Sequence, residues 1–540
     1  MEPIEDGSHD LIIAGNMFDT TMSNEEMTLQ RVEEDGSLVW QKKYVNTPLD
    51  KARVFDIVIR GNIFLTGSVD VGGIKQMFIA EVDVANGNML VFNEYAVVSP
   101  NFNSRGLKII ATNSDADGDA IGDPGFVIGG FFSDCYALDP TCMFNNLGFV
   151  MRVDINLVPM WTIEIDANNP IDNQDYDFVN GITETSDGFL ITGSTTGIIT
   201  NFVRQAVLAR KIDFSGNTLW DNSYIFGNSR DVSVDAYYDS FTDEIYMLTN
   251  YSSSHYFGIT VFANTSGAIN PTKSWFAGGN NMDLYGFTLM PSATNDSHLV
   301  ITGYDRDENW VDVNGNPQFA NSSVFVYEFE KATGDQAGPA YQFLVPHVEP
   351  TPEEFNFWDG QLPLIYYPDM GFPAIDMDGS VVYYHLGYRT DAAETNIELF
   401  KTFFDHRNEC EHLPLNINHS PISVQPVPVM SGSVPHIMTP SSINTVNYTV
   451  GIASCIEFLS VSDINTTTAT LYPNPATTHV NFTGAQVNEY RLVDALGRIV
   501  SEGRLNDQAS LYVGDLAKGM YFITLSGDNN AITTLKFIKE

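Results

Sequence analysis

The stretch Phe189-Leu-Ile-Thr-Gly193 is a short apolar run that ends in a small residue, and similar runs recur along most of the chain. Each run has the length of one β-strand. The last residues of the seven runs, called anchor residues below, are Gly15, Gly67, Gly130, Gly193, Asn250, Gly303 and Gly387. Successive anchors lie 52 to 84 residues apart, which leaves room for about four strands in each copy.

A second motif, which joins a turn to a tryptophan, follows several anchor strands. In Lys211-Ile-Asp-Phe-Ser-Gly-Asn-Thr-Leu-Trp220, Trp220 comes four residues after Gly216, and Trp40 follows Gly36 at the same spacing. The segment that ends at Trp161 fits the same frame, with Leu157 in the glycine position. A large ring at a fixed site after a turn can pack between neighbouring sheets. We therefore expect each tryptophan to join one sheet to the next.

The repeat predicts an all-β protein. Seven four-stranded units without helical segments between them favour a seven-bladed β-propeller over residues 1–410, because radial blades bury their faces and leave only short edges. This body resembles the propellers with D-x-x-G-x-x-x-W turns of quinoprotein-like and related secreted bacterial proteins. The alternative is a row of β-sandwiches, for which the period is too short.

The first copy has only a few residues ahead of its anchor strand and no apolar signal-peptide core. We expect either a front that has been trimmed, or a strand from far downstream that fills the gap. The candidate for that strand is the alternating apolar run at 447–458.

The charge balance limits the partners. The 540 residues include 68 acidic and 26 basic side chains, for a net charge of −42. Phosphate backbones and anionic membrane surfaces would be repelled, which argues against a nucleic-acid or membrane-surface partner. No apolar run is long enough for a spanning helix. The acidity then serves either solubility or cation binding.

One acidic loop has the spacing of a cation site. Asp115, Asp117, Asp119 and Asp123 alternate with small residues, so their carboxylates can converge on a hard cation such as calcium. The alternative is a solvated acidic turn. A similar loop at 305–312 contains one cationic interruption. Calcium is the only cofactor that the sequence suggests, and no organic cofactor is expected.

Four cysteines permit two disulfides. Cys135 and Cys142 lie in one loop and can close a small ring, which leaves Cys410 to pair with Cys455. The alternative is four free thiols.

The amino-acid composition of the chain changes after the repeat. Residues 411–468 are rich in proline and serine and read as a linker that contains the possible ring-closing strand. Residues 469–540 alternate short strands with turns, which predicts a small C-terminal β-sandwich. Pro473 and Pro475 stiffen the start of this last domain.

Four blocks in this last domain carry a specific resemblance. LYPNPATTHVNF (471–482), YRLVDALGRIV (490–500), LAKGMYFITL (516–525) and KFIKE (536–540) occur in this order. They resemble the C-terminal type A sorting domain of cargo of the type IX secretion system of Bacteroidetes-type bacteria. The family positions that map here are Tyr472, Pro473, Asn474, Pro475, Asp494, Gly497, Gly519 and Tyr521.

The resemblance implies a destination and two partners. The outer-membrane export machinery would read the domain, and a sortase-like peptidase would then remove it. The protein would pass through the periplasm and be secreted or held at the cell surface.

The body carries few signatures of catalysis. Neither a G-x-S-x-G elbow nor an H-E-x-x-H zinc motif occurs in the sequence. We therefore expect a binding or adhesion module with a glycan or protein ligand. The alternative is a glycan-active propeller enzyme, a hydrolase or lyase, because propellers host both kinds of function.

Overall fold

A computed structural model of the chain divides into two compact units, Met1–Thr449 and Val450–Glu540, and each is described by itself. For the strands between 371 and 447 the description covers the backbone. The residues described are 2–4, 8, 10–19, 24–33, 37–45, 52–116, 121–136, 145–166, 175–199, 202–225, 231–251, 256–278, 283–292, 294–306, 323–337, 340–344, 371–375, 381–390, 395–403, 412–415, 418–421, 425–426, 430–433, 436–441, 444–447, 470–483, 489–494, 499–504, 510–526 and 532–540.

The described residues of the first unit form seven small sheets that follow one another along the chain, and their strands pair antiparallel except where β11 meets β13. Sheets 1 and 2 contain β1 (Glu2–Pro3), β2 (Leu11–Asp19), β3 (Asn24–Val32), β4 (Leu38–Val45), β5 (Ala52–Arg60), β6 (Asn62–Val71), β7 (Ile74–Val82) and β8 (Met89–Val97). Sheets 3 and 4 contain β9 (Phe102–Thr112), β10 (Gly125–Tyr136), β11 (Asn145–Asp154), β12 (Pro159–Asp166), β13 (Asp175–Tyr176), β14 (Phe178–Thr185), β15 (Gly188–Ile199), β16 (Phe202–Ile212), β17 (Thr218–Asp221) and β18 (Tyr224–Ile225). Sheets 5 to 7 contain β19 (Asp231–Asp239), β20 (Glu244–Tyr251), β21 (Tyr256–Ala263), β22 (Trp275–Gly278), β23 (Asp283–Pro291), β24 (His298–Arg306), β25 (Ser323–Glu330), β26 (Ala340–Leu344), β27 (Gly371–Ile375), β28 (Val381–Thr390) and β29 (Thr395–Phe403).

Six short strands from the segment 412–447, called the belt below, complete six of these sheets in reverse order. Each belt strand pairs antiparallel with the outer strand of one sheet and becomes its outermost strand. The pairs run from sheet 6 back to sheet 1: β30 (His412–Leu415) on β26, β31 (Asn418–Pro421) on β22, β32 (Gln425–Pro426) on β18, β33 (Met430–Ser433) on β12, β34 (His436–Ser441) on β8 and β35 (Asn444–Asn447) on β4. The segment that the sequence suggested as a linker therefore contains strands.

The prolines of the belt fit this edge position. Pro414, Pro421, Pro426 and Pro440 lie within belt strands. Proline has no N–H to give to a ladder, so sheets tolerate it chiefly on edge strands, where it also discourages a further strand from adding. A composition typical of linkers is thus equally suited to an outermost strand.

Neighbouring sheets pack on one another in chain order. The first strand of each of sheets 2 to 6 contacts the strands of the sheet before it. Separate apolar clusters lie between sheets 1 and 2, 2 and 3, 3 and 4, and 4 and 5. A fifth cluster contains residues of sheets 5 and 6 together with Leu11, Ile13 and Val32 of sheet 1. The core of the unit therefore lies between its sheets.

The anchors of the repeat lie on the second strand of every sheet. In sheets 2, 3, 4 and 6 the anchor is opposite a β-bulge of the first strand. A Cβ added to Gly67 or Gly193 would come within 1.8 or 2.0 Å of a carbonyl oxygen of that strand. The bulge therefore requires a small residue, which explains the motif. In sheet 5 the residue opposite the bulge is Thr249, so the expected anchor Asn250 is displaced by one position.

The tryptophans join neighbouring sheets, as the turn motif predicts. Trp40 of sheet 1, Trp161 of sheet 3 and Trp220 of sheet 4 each donate from Nε1 to a carbonyl in the turn of the following sheet. The acceptors are Val84, Phe214 and Asn264, at 3.1, 3.2 and 2.7 Å. The glycines of those turns, Gly87, Gly216 and Gly267, have positive φ and lie against the indole rings. Leu157, placed in the glycine position of the motif, also has a positive φ of 65°.

The first sheet differs from the expectation of a missing leading strand. Strand β1, only two residues long, pairs with β2 and supplies that position. Asn447 lies in β35 and pairs with Lys42 at the opposite, outer edge of sheet 1. Residues 448–458, the rest of the expected ring-closing strand, lie outside the described residues.

The second unit contains two sheets around one apolar core. One sheet comprises β36 (Thr470–Tyr472), β37 (His479–Thr483) and β40 (Ser510–Tyr512); the other comprises β38 (Glu489–Asp494), β39 (Ile499–Arg504), β41 (Gly519–Ser526) and β42 (Ile532–Lys539). The buried side chains that both sheets share are Ala476, Val480, Phe482, Leu492, Val513, Tyr521, Ile523, Leu525 and Phe537. Within the described part of the chain, no helix has the length and apolar character needed to cross a membrane.

Candidate functional site

The segment Tyr472 to Pro475 lies near the start of the described part of the second unit, outside its apolar core. Both X-Pro peptide bonds, before Pro473 and before Pro475, are cis. The side chains of all four residues are exposed. The side chains of the segment are therefore accessible at the surface of this unit, and the stiff, extended entry that the two prolines suggest stays a prediction.

Asn474 fastens this segment to the last strand of the chain. Its Nδ2 donates to the carbonyl of Lys536 at 3.1 Å, and its Oδ1 accepts from the N–H of Ile538 at 2.9 Å. The asparagine thus occupies a donor and an acceptor on one edge of β42, much as a neighbouring strand would. The two hydrogen bonds of its side-chain amide explain why an asparagine lies between the two prolines.

Ala476 continues the same attachment through the backbone. Its N–H donates to the carbonyl of Ile538 at 2.8 Å, and its carbonyl accepts from the N–H of Glu540 at 2.9 Å. The Ala476 side chain is fully buried. The start of the unit and its C-terminal residues therefore form one continuous structure. The sequence blocks did not single out Ala476, although a small residue after two prolines was a usable signal.

The other expected positions lie on β38 and β41 or outside the description. Tyr521 is buried, donates from its hydroxyl to the carbonyl of Ala517 at 2.9 Å, and stacks on Phe537. Gly519 begins β41, and Asp494 ends β38 opposite Tyr521. Gly497 lies outside the described residues. Tyr472, Pro473, Asn474 and Pro475 thus form the exposed part of the motif set, and Tyr521 belongs to the core.

Two of the four aspartates of the acidic loop are described, and one of them stabilises the loop itself. Asp123 accepts from the N–H of Ala116 through Oδ2 at 2.9 Å. The buried Arg152 donates from Nη2 to the carbonyls of Ser114, at 3.1 Å, and Asp123. Asp117 and Asp119 lie outside the described residues, as does most of the loop at 305–312. Among the residues described, no three His, Cys, Asp or Glu side chains converge.

Electrostatics around Arg152 reflect its burial. Burial lowers the pKa of Arg152, although the charges of Glu184 and Asp123 oppose that effect. Burial also raises the pKa of Glu184 on β14, against a hydrogen bond with Thr112 and the charge of Arg152. A cationic side chain therefore lies at the base of the acidic loop, and the calcium site stays a prediction.

A second buried cation links sheets 4 and 5. Lys211 on β16 donates from Nζ to Asp187 and, at 2.6 Å, to Oδ1 of Asn264. Burial alone would raise the pKa of Asp187, but the hydrogen bond and charge of Lys211 outweigh it and hold that pKa below its usual value. The motif analysis missed this network, whose signal was the pair Arg210-Lys211 directly after the apolar run from Ala206 to Ala209.

The predicted disulfides stay predictions. Cys142, Cys410 and Cys455 lie outside the described residues, and only the backbone of Cys135 is described, on β10.

Comparison with known families identifies the second unit. Residues 470–540 match the model of the secretion system C-terminal sorting domain. No curated protein matches the chain. The position of the match, at the end of the chain, agrees with the four sequence blocks.

Three similar solved structures are extracellular domains from B. thetaiotaomicron. One, from the one-component system BT4673, is 9% identical, covers 100% of this chain and 99% of its own, and has a TM-score of 0.18. A second BT4673 structure, described as a hybrid two-component system, is 8% identical with coverages of 100% and 98% and a TM-score of 0.14. The hybrid system BT3049 is 11% identical with coverages of 99% and 93% and a TM-score of 0.16. TM-scores of this size carry no argument about the fold.

The C-terminal match settles the destination of the protein. The chain carries a sorting domain of the type IX secretion system, and that system's machinery handles it. The protein is therefore carried across the outer membrane, for secretion or attachment to the cell surface.

Proposed function

We propose that the exported body is a seven-bladed β-propeller that acts as a binding or adhesion module at the cell surface or beyond it. The observation that carries the proposal is the matched sorting domain, placed behind a body of seven repeated sheets. Export delivers the body to a place where glycans and proteins of other cells are accessible.

Two features support the propeller arrangement. Consecutive sheets pack in chain order, and one apolar cluster includes residues of sheet 1 together with residues of sheets 5 and 6, so the row of sheets curves back toward its start. The belt covers outer strands that would otherwise be open to association with other chains. Low-resolution electron microscopy of the full chain should give a ring with seven sectors, and an elongated row of sheets would contradict the proposal.

The packing of charged side chains supports a scaffold for binding. Arg31 pairs with Asp10 at 2.6 Å, Arg210 with Asp221 at 2.7 Å and Lys331 with Asp239 at 2.6 Å. These partly buried pairs fasten strands and turns to one another. A scaffold held in this way keeps its loops in fixed positions, which suits recognition of a ligand.

A glycan array and a protein array, run beside a glycan hydrolysis screen, test the binding role. Binding without turnover is the expected result. Cleavage of a bound glycan would favour the alternative, a glycan-active propeller enzyme. Absence of binding on both arrays would contradict a binding module.

We also propose that a sortase-like peptidase removes the sorting domain after export. Mass spectrometry of the protein recovered from the cell surface tests this step. The expected mass lacks residues 470–540, and recovery of the full chain alone would contradict removal.

A further inference from the structure

An exposed apolar side chain recurs at one position in the first four sheets. Just after a turn, the strand that pairs with the third strand of each sheet, which is β4, β8, β12 or β17, contains a β-bulge, in which one residue is left without a partner in the ladder. These four residues, called the bulge row below, are Val39, Leu90, Met160 and Leu219. A bulge redirects a side chain away from the regular pleat and is a retained feature of a fold.

The bulge row is exposed in every sheet that carries it. Val39 is 44% exposed, Leu90 51%, Met160 38% and Leu219 47%. Single exposed apolar residues are ordinary on a protein surface. Four at equivalent positions of consecutive sheets form a pattern, because the fold would accept a polar residue there. In sheets 5 and 6 the isolated bridges Phe262–Ile269 and Phe329–Gln336 correspond to the residue pair just before each bulge. The residues that follow these bridges, in the position of the bulge row, are Asn270 and Ala337.

The belt leaves the bulge row uncovered. On the bulged strands of sheets 1 to 3, belt strands pair with residues 42–45, 92–97 and 163–166. In sheet 4 the bulge lies on β17, and the belt pairs with residues 224–225 of the next strand, β18. Each bulge lies before the paired stretch, nearer the turn. The outer strands thus accept an extended segment of this chain over one part and present an apolar side chain beside it.

Carboxylates accompany the bulge row. The turn that leads to each bulge contains one of Glu33, Asp83, Asp154 and Asp213. Asp154 and Asp213 accept N–H groups of their own turns and so are held in place. With a net charge of −42 on the whole chain, this surface repels anionic lipids and nucleic acids. Glycan rings usually pack on aromatic side chains, whereas all four residues of the bulge row are aliphatic or thioether.

We propose that the bulge row is a docking surface for an extended, cationic segment of a partner protein that alternates basic and apolar side chains. Its apolar groups would cover the bulge row, and its basic groups would lie near the turn carboxylates. Extended segments bind well beside exposed sheet edges, where pockets for alternate side chains give specificity. This inference rests on the binding role proposed above and names the class of ligand.

The test uses the full chain and three synthetic peptides of equal length. One alternates lysine with leucine, one lysine with serine and one glutamate with leucine. Fluorescence anisotropy of each labelled peptide reports its affinity. The proposal expects the lysine–leucine peptide to bind at least about tenfold more tightly than the other two, because both the charge and the apolar groups contribute.

The decisive variant combines Val39→Asn, Leu90→Asn, Met160→Asn and Leu219→Asn. It leaves every charge in place and should weaken lysine–leucine binding by at least about tenfold. Asparagine is chosen because Asn270 follows the corresponding bridge residue in sheet 5. Phe241→Asn, at a 96% exposed residue outside the bulge row, is the matched control and should leave the affinity unchanged. Thermal melting monitored by circular dichroism verifies that both variants fold; four single variants replace the combined one if it does not.

Two results would overturn the proposal. One is equal affinity of the combined variant and the natural chain, and the other is a lysine–serine peptide that binds as tightly as the lysine–leucine peptide. If the arrays meanwhile show a ligand, only the bulge-row inference fails and the binding role stands. If the arrays show none, the binding role itself fails.

Discussion

A glycine beneath a tryptophan ring recurs at the joins between neighbouring sheets. Gly267 has a φ of +67°, and a Cβ built there would lie 2.1 Å from Nδ2 of Asn222 and 2.6 Å from the ring of Trp220. Gly61 has a φ of +72° with nothing within 4 Å of the same added atom. The two glycines share a backbone conformation and differ in packing. Substitution of each by alanine therefore distinguishes the cost of backbone strain from the cost of a steric clash.

Gly267→Ala should destabilise the protein by about 1–3 kcal/mol more than Gly61→Ala. Both variants impose a left-handed conformation on alanine, but only the first pushes an atom into the indole and the Asn222 amide. Urea unfolding of the full chain measures the difference. Equal losses would mean that the ring moves aside and does not hold the two sheets together.

Asn474 gives a second prediction at a single residue. Asn474→Ala removes a donor and an acceptor from β42 and should cost about 1–2 kcal/mol. Hydrogen exchange followed by mass spectrometry should show faster exchange at the N–H of Ile538. Thr477→Ala, at a nearby exposed residue, is the control. Unchanged exchange in Asn474→Ala would contradict the role given to the side-chain amide.

Acid should weaken the pairing of Lys211 with Asp187. The pKa of Asp187 lies below its ordinary value of 3.8 in the folded protein, so the pairing contributes stability above that value. That contribution is lost as the pH falls through the folded pKa. The stability difference between the natural chain and Lys211→Met should therefore shrink from neutral pH to about pH 3. Urea midpoints measure it, with the exposed Lys536→Met as control; a constant difference would contradict the assignment.

At the scale of strands and loops, local motifs were predictable and long-range pairings were not. The anchor residues are small because they lie opposite a bulge, and the turn tryptophans pack on the following sheet. Both requirements are local, so the repeat in the sequence marks each sheet. The belt was not predictable, because Pro414 or Pro426 is equally compatible with a linker and with an outermost strand. Which sheet edge a short strand joins depends on residues far away in the chain, from 69 positions between His412 and Phe343 to 405 between Asn447 and Lys42.

The acidic loop between β9 and β10 leads to a prediction about calcium. If Asp115, Asp117, Asp119 and Asp123 bind the ion, a chelator should lower the melting temperature, and Asp117→Asn should reduce that response. Identical melting in chelator and in calcium would eliminate the site.

At the scale of the whole molecule, the two units have separate tasks. Deletion of residues 469–540 should leave the body folded but retained in the periplasm, because the deleted unit carries the export signal and has its own apolar core. Cell fractionation and circular dichroism of the retained body measure both parts. Normal delivery of the truncated protein to the surface would contradict the prediction.

The two units also differed in how far the sequence predicted their function. The four blocks at the C-terminus are long and ordered, so they identified the sorting domain and the exposed positions from Tyr472 to Pro475. The contacts of Asn474 with the carbonyl of Lys536 and the N–H of Ile538 depend on a backbone more than sixty residues away, which no local pattern reveals. In the body, the bulge row needed the strand register before its common position became visible.

The order of the belt has a mechanical consequence. Its C-terminal end is on sheet 1, and its strands attach to sheets 2, 3, 4, 5 and 6 going back along the chain. Tension applied from beyond Thr449 therefore loads β35 first, and each short ladder must give way before the next carries force. The belt strands would detach one after another, from sheet 1 to sheet 6, at a small force. The same tension spread over all six ladders at once would meet a far greater resistance, so the direction of pulling decides how strong this protein is.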